Sequence, residues 1–384
     1  MKTVIIGSGF AGFNAAKKLS SRYLDTDIVI YDKNTFFSML PALPELASGH
    51  IGKKRVVADI FAKVSENILF LNRSVKSINL ETKQVIDENG EYPYDKLIIA
   101  AGSTTNHHGF TNHLNMVHPL SSINDALSLN YCLNRYFSMR KKAHVVIAGG
   151  GYTGLETAVA IRQFIGQPTH FLSITVLEAS PQILPFLDNK DRTFISRKFS
   201  KMRINIRTGE RIERFDGHNI ITSSGHRIDD ALLIWTAGSR FPDISITGNI
   251  PRLPDGRIVV SDDMSIPGYN HIFAVGDSAA ILNNKVPLRK SVHAAIKSGK
   301  LAGENIIRDL DGKKRRNFSY RDPGWIIPMG DASIGYLFNR IRLKGKKAHR
   351  LHYFMTGLRN YNFSNFLFFT GKALSPWKKT KLRS

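Results

Sequence analysis

Two strand–glycine turn–helix–strand units, a late shift to basic and aromatic composition, and an apolar share of 42% predict an α/β fold with a separate C-terminal amphipathic helical region. The chain has 384 residues, enough for two to three domains of ordinary size. The first unit opens on strand Thr3–Ile6 and turns through Gly7-Ser-Gly9-Phe-Ala-Gly12. A helix carrying Ala15, Ala16 and Leu19 follows, then strand Asp27–Tyr31 and Asp32. The second unit repeats the pattern with strand His144–Ala148, Gly149-Gly-Gly151-Tyr-Thr-Gly154, a helix through Ala158 and Ile161, strand Ser173–Leu177 and Glu178.

Each unit has the physical requirements of a Rossmann-like dinucleotide-binding domain. The first glycine permits the tight turn, the second lets a pyrophosphate approach the backbone, and the third lets helix pack on strand. The helix start offers unpaired N–H groups and partial positive charge to phosphate. Asp32 and Glu178 fall 20 and 24 residues after the third glycine, where a carboxylate accepts from a ribose diol. A 2′-phosphate beside Glu178 would be repelled, and Ala179-Ser180-Pro181 supplies no arginine, so NADH is expected over NADPH. Asp32 likewise suits an unphosphorylated adenosine ribose, as in FAD.

Further apolar strands end in small residues: Lys96 to Ala100 and Gly102, Leu232 to Gly238, and His271 to Gly276-Asp277. Asn124–Met139 and Ser291–Arg308 read as helices. Asn205–Glu213 and His218–Arg227 are rich in β-formers and turns. A single cysteine, Cys132, excludes an internal disulfide, a redox cysteine pair and a multi-cysteine metal site. It falls in a helical stretch and reads as a packing residue. No metal site is expected.

The formal charge is +23, and residues 313–384 hold 17 basic against 2 acidic residues. Such a field favours an anionic partner. No secretory signal is expected from the first residues. The stretch between Arg359 and Lys372 has 12 uncharged residues, too few for a spanning helix. Helical spacing relates Leu351, Phe354, Met355 and Leu358, then Phe363, Phe366 and Leu367. Arg340, Arg342, Lys344, Lys346, Lys347, Arg350, Arg359 and Lys372 surround them. Amphipathic helices of this kind lie in an anionic membrane interface. A packed helical subdomain or a homodimer contact is the alternative, and nucleic acid is not the expected partner.

Two glycine units followed by Val275-Gly276-Asp277 resemble the two-dinucleotide-binding-domain flavoproteins. That resemblance implies an NADH-binding domain at 116–259, inserted between FAD-binding segments 1–115 and 260–312; the composition shift after Gly312 sets off 313–384 as a membrane-docking or dimerisation region. The cysteine-free run Pro41-Ala-Leu-Pro44-Glu-Leu-Ala-Ser-Gly49 resembles the type II NADH:quinone oxidoreductases. Tyr94–Gly102, Gly149–Glu156, Ile234–Gly238, Asp322–Gly330 and Leu343–Ala348 agree with that family. The resemblance implies FAD held by Gly7, Gly9, Gly12, Asp32, Pro41, Val75, Ala100, Gly102, Gly276 and Asp277. It implies NADH held by Gly149, Gly151, Gly154, Glu178 and Gly238. Glu156 matches a glutamate near the nicotinamide and is the first candidate for proton handling. The family's glutamines after the Gly-Asp are replaced here by His293 and Lys297-Ser298, which makes His293 a second candidate and leaves the acceptor open.

The implied function is a non-pumping NADH dehydrogenase that passes electrons through FAD to a membrane quinone, peripheral on the inner face of the cell membrane. A reductase of a soluble electron-carrier protein, or a redox-sensing flavoprotein with a partner-binding or nucleic-acid-binding tail, are the alternatives.

Overall fold

The computed structural model describes residues 1–22, 27–59, 67–139, 142–164, 171–283, 285–329, 333–338 and 340–375. Gly330, at the end of the Asp322–Gly330 segment noted in the sequence, lies outside these. Eight α-helices occur among the described residues: α1 Phe10–Ser20, α2 Leu43–Ala47, α3 Ile123–Ser138, α4 Tyr152–Phe164, α5 Asn189–Lys201, α6 Val292–Leu310, α7 Lys346–Leu358 and α8 Phe363–Leu374. Two compact units result. One comprises 1–37, 59–104 and 239–323; the other comprises 38–58, 105–238 and 324–384.

The first unit is built on a six-stranded sheet in the order Ser265–Ile266, Tyr269–Ala274, Lys96–Ile99, Lys2–Ile6, Asp27–Tyr31, Ile68–Leu71. All pairings are parallel except that of the outermost pair at Ser265–Ile266. Val4, Ile5, Leu97, Ile98, Ile99, Ile272 and Phe273 are buried, as strands covered on both faces require. Helix α1 is buried along most of its length because α6 closes over it. A Cβ on Gly299 would lie 2.0 Å from the Ala11 carbonyl oxygen, so only glycine allows this approach.

The second unit repeats the arrangement with a five-stranded parallel sheet. Its order is His118–Pro119, Ala231–Trp235, Ala143–Ala148, Leu172–Glu178, Ile204–Thr208. In both sheets the strand before the glycine turn has its successor strand on one side and the strand ending in Ala-Gly on the other. The turn therefore sits where strand order reverses, the place at which open α/β sheets bind ligands.

Ahead of the stretch in which the sequence reading found helical spacing, the chain forms a sheet that the reading did not assign. Gly324–Ile327, Ile334–Leu337 and Ile341–Lys344 form a three-stranded antiparallel sheet. Its β-branched and aromatic residues, Trp325, Ile326, Ile327, Ile334, Tyr336 and Ile341, favour a pleated surface. Helices α7 and α8 follow, packed on each other, close to the helical periods expected. The residues they bury lie off the expected apolar stripe. Helix α7 buries Ala348, His349, Tyr353, Thr356 and Gly357, and α8 buries Asn365, Phe369 and Ala373. Asn365 pins α8 by donating to the carbonyls of Lys54 (3.1 Å) and Val57 (3.2 Å). No described helix is long and apolar enough to cross a membrane.

Candidate active site

In the first unit, a Cβ on Gly7 would meet the Ala100 carbonyl oxygen at 2.3 Å, and one on Gly12 would meet the Gly7 carbonyl oxygen at 1.8 Å. Around Gly9, at the start of α1, the same test finds open space. No carboxylate or capping side chain occupies the first turn of α1. The result is an open cradle of backbone N–H groups for a pyrophosphate. The Asp32 carboxylate accepts from the Ser8 amide (2.7 Å), the Ser8 hydroxyl (2.8 Å) and the Asn34 amide (2.8 Å). This fixes it at the mouth of the turn.

Across the switch point, Ala100 is buried and Gly102 takes φ +72°. The Gly102 carbonyl accepts from Ser278 at 3.3 Å. Val75 is half-buried in the segment after Ile68–Leu71. The Gly276 amide donates to Ser298 Oγ at 3.0 Å, and Ser103 donates to Asp277 at 3.3 Å. Burial pushes the Asp277 carboxyl up, against the pull of Lys290. Arg257, Asp277, Lys290 and Ser291 line one cavity. A buried carboxylate flanked by two cations fits the hydroxyl-rich and phosphate part of a flavin dinucleotide.

The second unit reproduces the cradle. Gly149 closes on Ala237, Gly154 closes on the Gly149 carbonyl, and Gly151 faces open space. Glu178 accepts from the Gly150 amide (2.7 Å) and the Ser180 amide (2.8 Å). Each of its oxygens retains acceptor capacity for a ribose hydroxyl. Gly238 takes φ +91° beside His108. An aromatic group that sequence reasoning missed stands beside this turn. Tyr152 stacks on Phe186 at 5.6 Å between ring centroids, and Trp325 meets both edge-on.

A small cavity in this unit, about 40 Å³, is lined by Pro41, Glu45, His50, Glu156, His352 and Tyr353, with His349 beside them. Burial, assisted by the Glu45 charge, pushes the Glu156 carboxyl up to about 8. It is a neutral acid at pH 7. The Tyr353 hydroxyl donates to Glu45, and burial with the Glu45 charge raises Tyr353 well above the usual phenol value. Burial depresses His50 and His352 and takes His349 down to about 4, so all three imidazoles are neutral at pH 7. The space admits one or a few waters.

Sequence reasoning placed Pro41 and Glu156 separately, and here they line one cavity. Glu45, His50, His349, His352 and Tyr353 were missed as chemistry. Lys372, read as a surface cation, instead has its ammonium buried 5.3 Å from the Tyr353 ring centroid and 5.4 Å from that of Phe368. His293 lies at the start of α6, its ring 5.7 Å from Tyr320. Ser298 is fully buried and holds the Gly276 amide, while the Lys297 ammonium reaches the Ser319 carbonyl at 3.2 Å. Cys132 lies on α3, in a helix as expected. No group of three metal-ligating side chains occurs among the described residues.

The profile of the pyridine nucleotide-disulphide oxidoreductase family matches residues 1–299. The type II NADH:quinone oxidoreductase Ndh of Mycobacterium tuberculosis is 29% identical over 359 residues, covering 84% of this chain and 76% of that one. The type II NADH:quinone oxidoreductase of Staphylococcus haemolyticus is 23% identical over 371 residues, covering 90% and 92%. Among solved structures, NDH2 from Plasmodium falciparum in complex with NADH superposes with a TM-score of 0.86 at 18% identity, covering 100% and 99% of the two chains. The sulfide:quinone oxidoreductase of Aquifex aeolicus gives 0.79 at 20% identity, covering 97% and 92%. These two likenesses establish the fold.

Proposed function

The chain belongs to the pyridine nucleotide-disulphide oxidoreductase family, and from that premise we propose that it is an FAD-dependent type II NADH:quinone oxidoreductase. One observation carries this reading within the family. Two complete dinucleotide cradles coexist with a single cysteine, which sits on α3. The chain therefore has no cysteine pair for disulfide chemistry. The curated relatives that match most of its length are named for NADH:quinone reduction.

FAD, when bound, would supply the two-electron chemistry that links NADH to the quinone. In the proposed assignment Gly7, Gly9, Gly12 and Asp32 hold its adenosine and pyrophosphate. Val75, Ala100, Gly102, Gly276 and Asp277 line the rest, and Pro41 borders the reacting end. Gly149, Gly151, Gly154 and Gly238 shape the NADH cradle, and Glu178 binds its ribose and disfavours a 2′-phosphate. Glu156, a neutral acid at pH 7, donates a proton to the quinone oxygen. His293 is the second candidate donor, supported by its position at the replaced glutamine.

The proposed acceptor arrives from an anionic membrane surface on the cytoplasmic side. Leu358, Phe363, Leu367 and Leu374 on α7 and α8 are 52%, 71%, 53% and 72% exposed. Exposed Lys346, Lys347 and Arg350 flank them. Apolar residues outward beside basic ones suit interfacial docking.

The test is anaerobic reduction of the bound flavin by NADH. Stopped-flow reoxidation then follows with a soluble quinone analogue, an acidic electron-carrier protein and oxygen in turn. Fastest reoxidation by the quinone is expected. Reoxidation by quinone no faster than by oxygen overturns the reading.

A further inference from the structure

Reduction of quinone by NADH takes one proton from water: NADH + H⁺ + quinone → NAD⁺ + quinol. If Glu156 gives that proton, its O–H bond breaks as the quinol O–H forms. Its carboxylate must then be recharged from solvent before the next turnover. Glu156 itself lies on α4 within a cavity, so the proton needs a conductor.

We propose that His352 is that conductor, passing protons from solvent through the cavity to Glu156, with the hydrogen-bonded pair Glu45–Tyr353 positioning it and stabilising its transient charge. This rests on the quinone-reductase reading above. His352 lines the same cavity as Glu156 and is half-buried on α7, so it is placed between that cavity and the surface. Its ring meets that of Tyr353 at 5.4 Å, and Tyr353 in turn donates to Glu45. A neutral imidazole can accept a proton on one ring nitrogen while the other releases one. A water in the cavity, able to hydrogen-bond to the polar groups that line it, completes the transfer. Each step breaks one N–H or O–H bond and forms another, and no electron moves.

The surrounding charges set the balance. Glu45 on α2 favours the imidazolium, whereas burial and Arg359 oppose it. His50, His349 and the Lys372 ammonium complete the titratable groups around the cavity, and Glu156 faces it in neutral form. The site thus conducts a proton without storing one on His352 at pH 7.

The test uses the holoenzyme reduced by NADH and mixed with a water-soluble quinone analogue. His352→Ala is expected to slow reoxidation about tenfold or more, the low end of what a positioned acid–base group supplies. Added imidazole is expected to restore the rate. A wild-type rate, or a loss that imidazole leaves untouched, overturns the proposal. His352→Gln covers the case in which the alanine variant fails to fold, and it should show the same slow phase.

A second readout is independent of turnover. In the oxidised holoenzyme, ¹⁵N-histidine NMR should show the His352 titration moving to lower pH in Glu45→Gln, because its favourable neighbouring charge is gone. An unmoved titration overturns the positioning role. If wild-type flavin is reduced by NADH but no quinone reoxidises it, the acceptor assignment falls. A His352 titration that still follows Glu45 then supports the positioning role alone, and the conductor falls with the acceptor assignment.

Discussion

Helices α1 and α4 start from near-identical glycine turns and then diverge. After Gly12, α1 buries Phe13, Asn14, Ala15 and Ala16, and α6 closes over it through Gly299 and Gly303. After Gly154, α4 carries Glu156 into a polar cavity shared with α2 and α7. The same backbone device builds both nucleotide cradles. What packs on the far side of the helix decides whether it only supports its cradle or also brings an acid to it. A carboxylate on α1 would face apolar packing, whereas on α4 it meets a set of neutral imidazoles.

The sharpest way to break this comparison is at the turns. In Gly12→Ala the new Cβ collides with backbone 1.8 Å away, and loss of folded protein is expected. Gly9→Ala meets open space in the protein and should fold with near-normal Tm. It should nevertheless purify without yellow flavin, because the methyl occupies the pyrophosphate's approach. Equal Tm losses in the two variants would contradict the division of labour between these glycines.

Next in size is Glu156→Gln. Quinone-driven reoxidation should fall about a hundredfold, the scale of removing a general acid. The inflection near pH 8, above which the wild type slows as Glu156 ionises, should vanish. The same substitution has a stability signature of opposite sign. A folded carboxyl raised to about 8 costs stability as pH climbs from the unfolded carboxylate value through 8. The difference is on the order of a few kcal/mol at most. Glu156→Gln should therefore melt higher than wild type at pH 9, with the gap shrinking towards pH 5.

Glu178→Ala tests the second cradle alone. It should raise KM for NADH about tenfold, the scale of one charge-assisted hydrogen bond, and narrow the preference over NADPH. The smallest effect is expected at His293. On α6 it stands beside Tyr320 and outside the cavity of Glu156. His293→Ala should change quinone reoxidation by less than about threefold, as loss of one half-buried ring contact would. A drop comparable to that of Glu156→Gln would move the acid–base chemistry to α6.

The glycine turns, their carboxylates and the Ala-Gly strands were legible in sequence because each is local: a few residues, fixed in spacing, with a steric reason for every glycine. The cavity was not. Glu45 and Tyr353 are 308 positions apart, and no periodicity links α2 to α7. The helical period of the tail was legible, and its apolar stripe faces outward, as an interfacial stripe would; what the helices bury instead was not legible. Leu358, Phe363 and Leu367 look outward, while small and polar residues such as Ala348, Thr356 and Asn365 are buried. Apolar residues normally mark the inner face of a helix, and here short side chains are needed where the helices approach. A Cβ on Gly357 would lie 3.2 Å from the Phe366 carbonyl oxygen. The three-stranded sheet at Gly324–Ile327, Ile334–Leu337 and Ile341–Lys344 was left unassigned, because its strands are four residues each and are set by pairing rather than by a local period.

Residues 324–384 are grouped with the NADH cradle and with residues 38–58, rather than with the flavin cradle. Clipping off the tail would therefore do more than detach the protein from a lipid surface. It would strip His352, Tyr353 and Lys372 from the chamber around Glu156 and free the loop that α8 pins at Lys54 and Val57. In the proposed reading, adsorption to a bilayer and supply of protons are thus wired into one body. Only outward changes such as Phe363→Asp or Leu367→Asp can separate them, leaving the chamber intact while the hydrophobic foothold is lost.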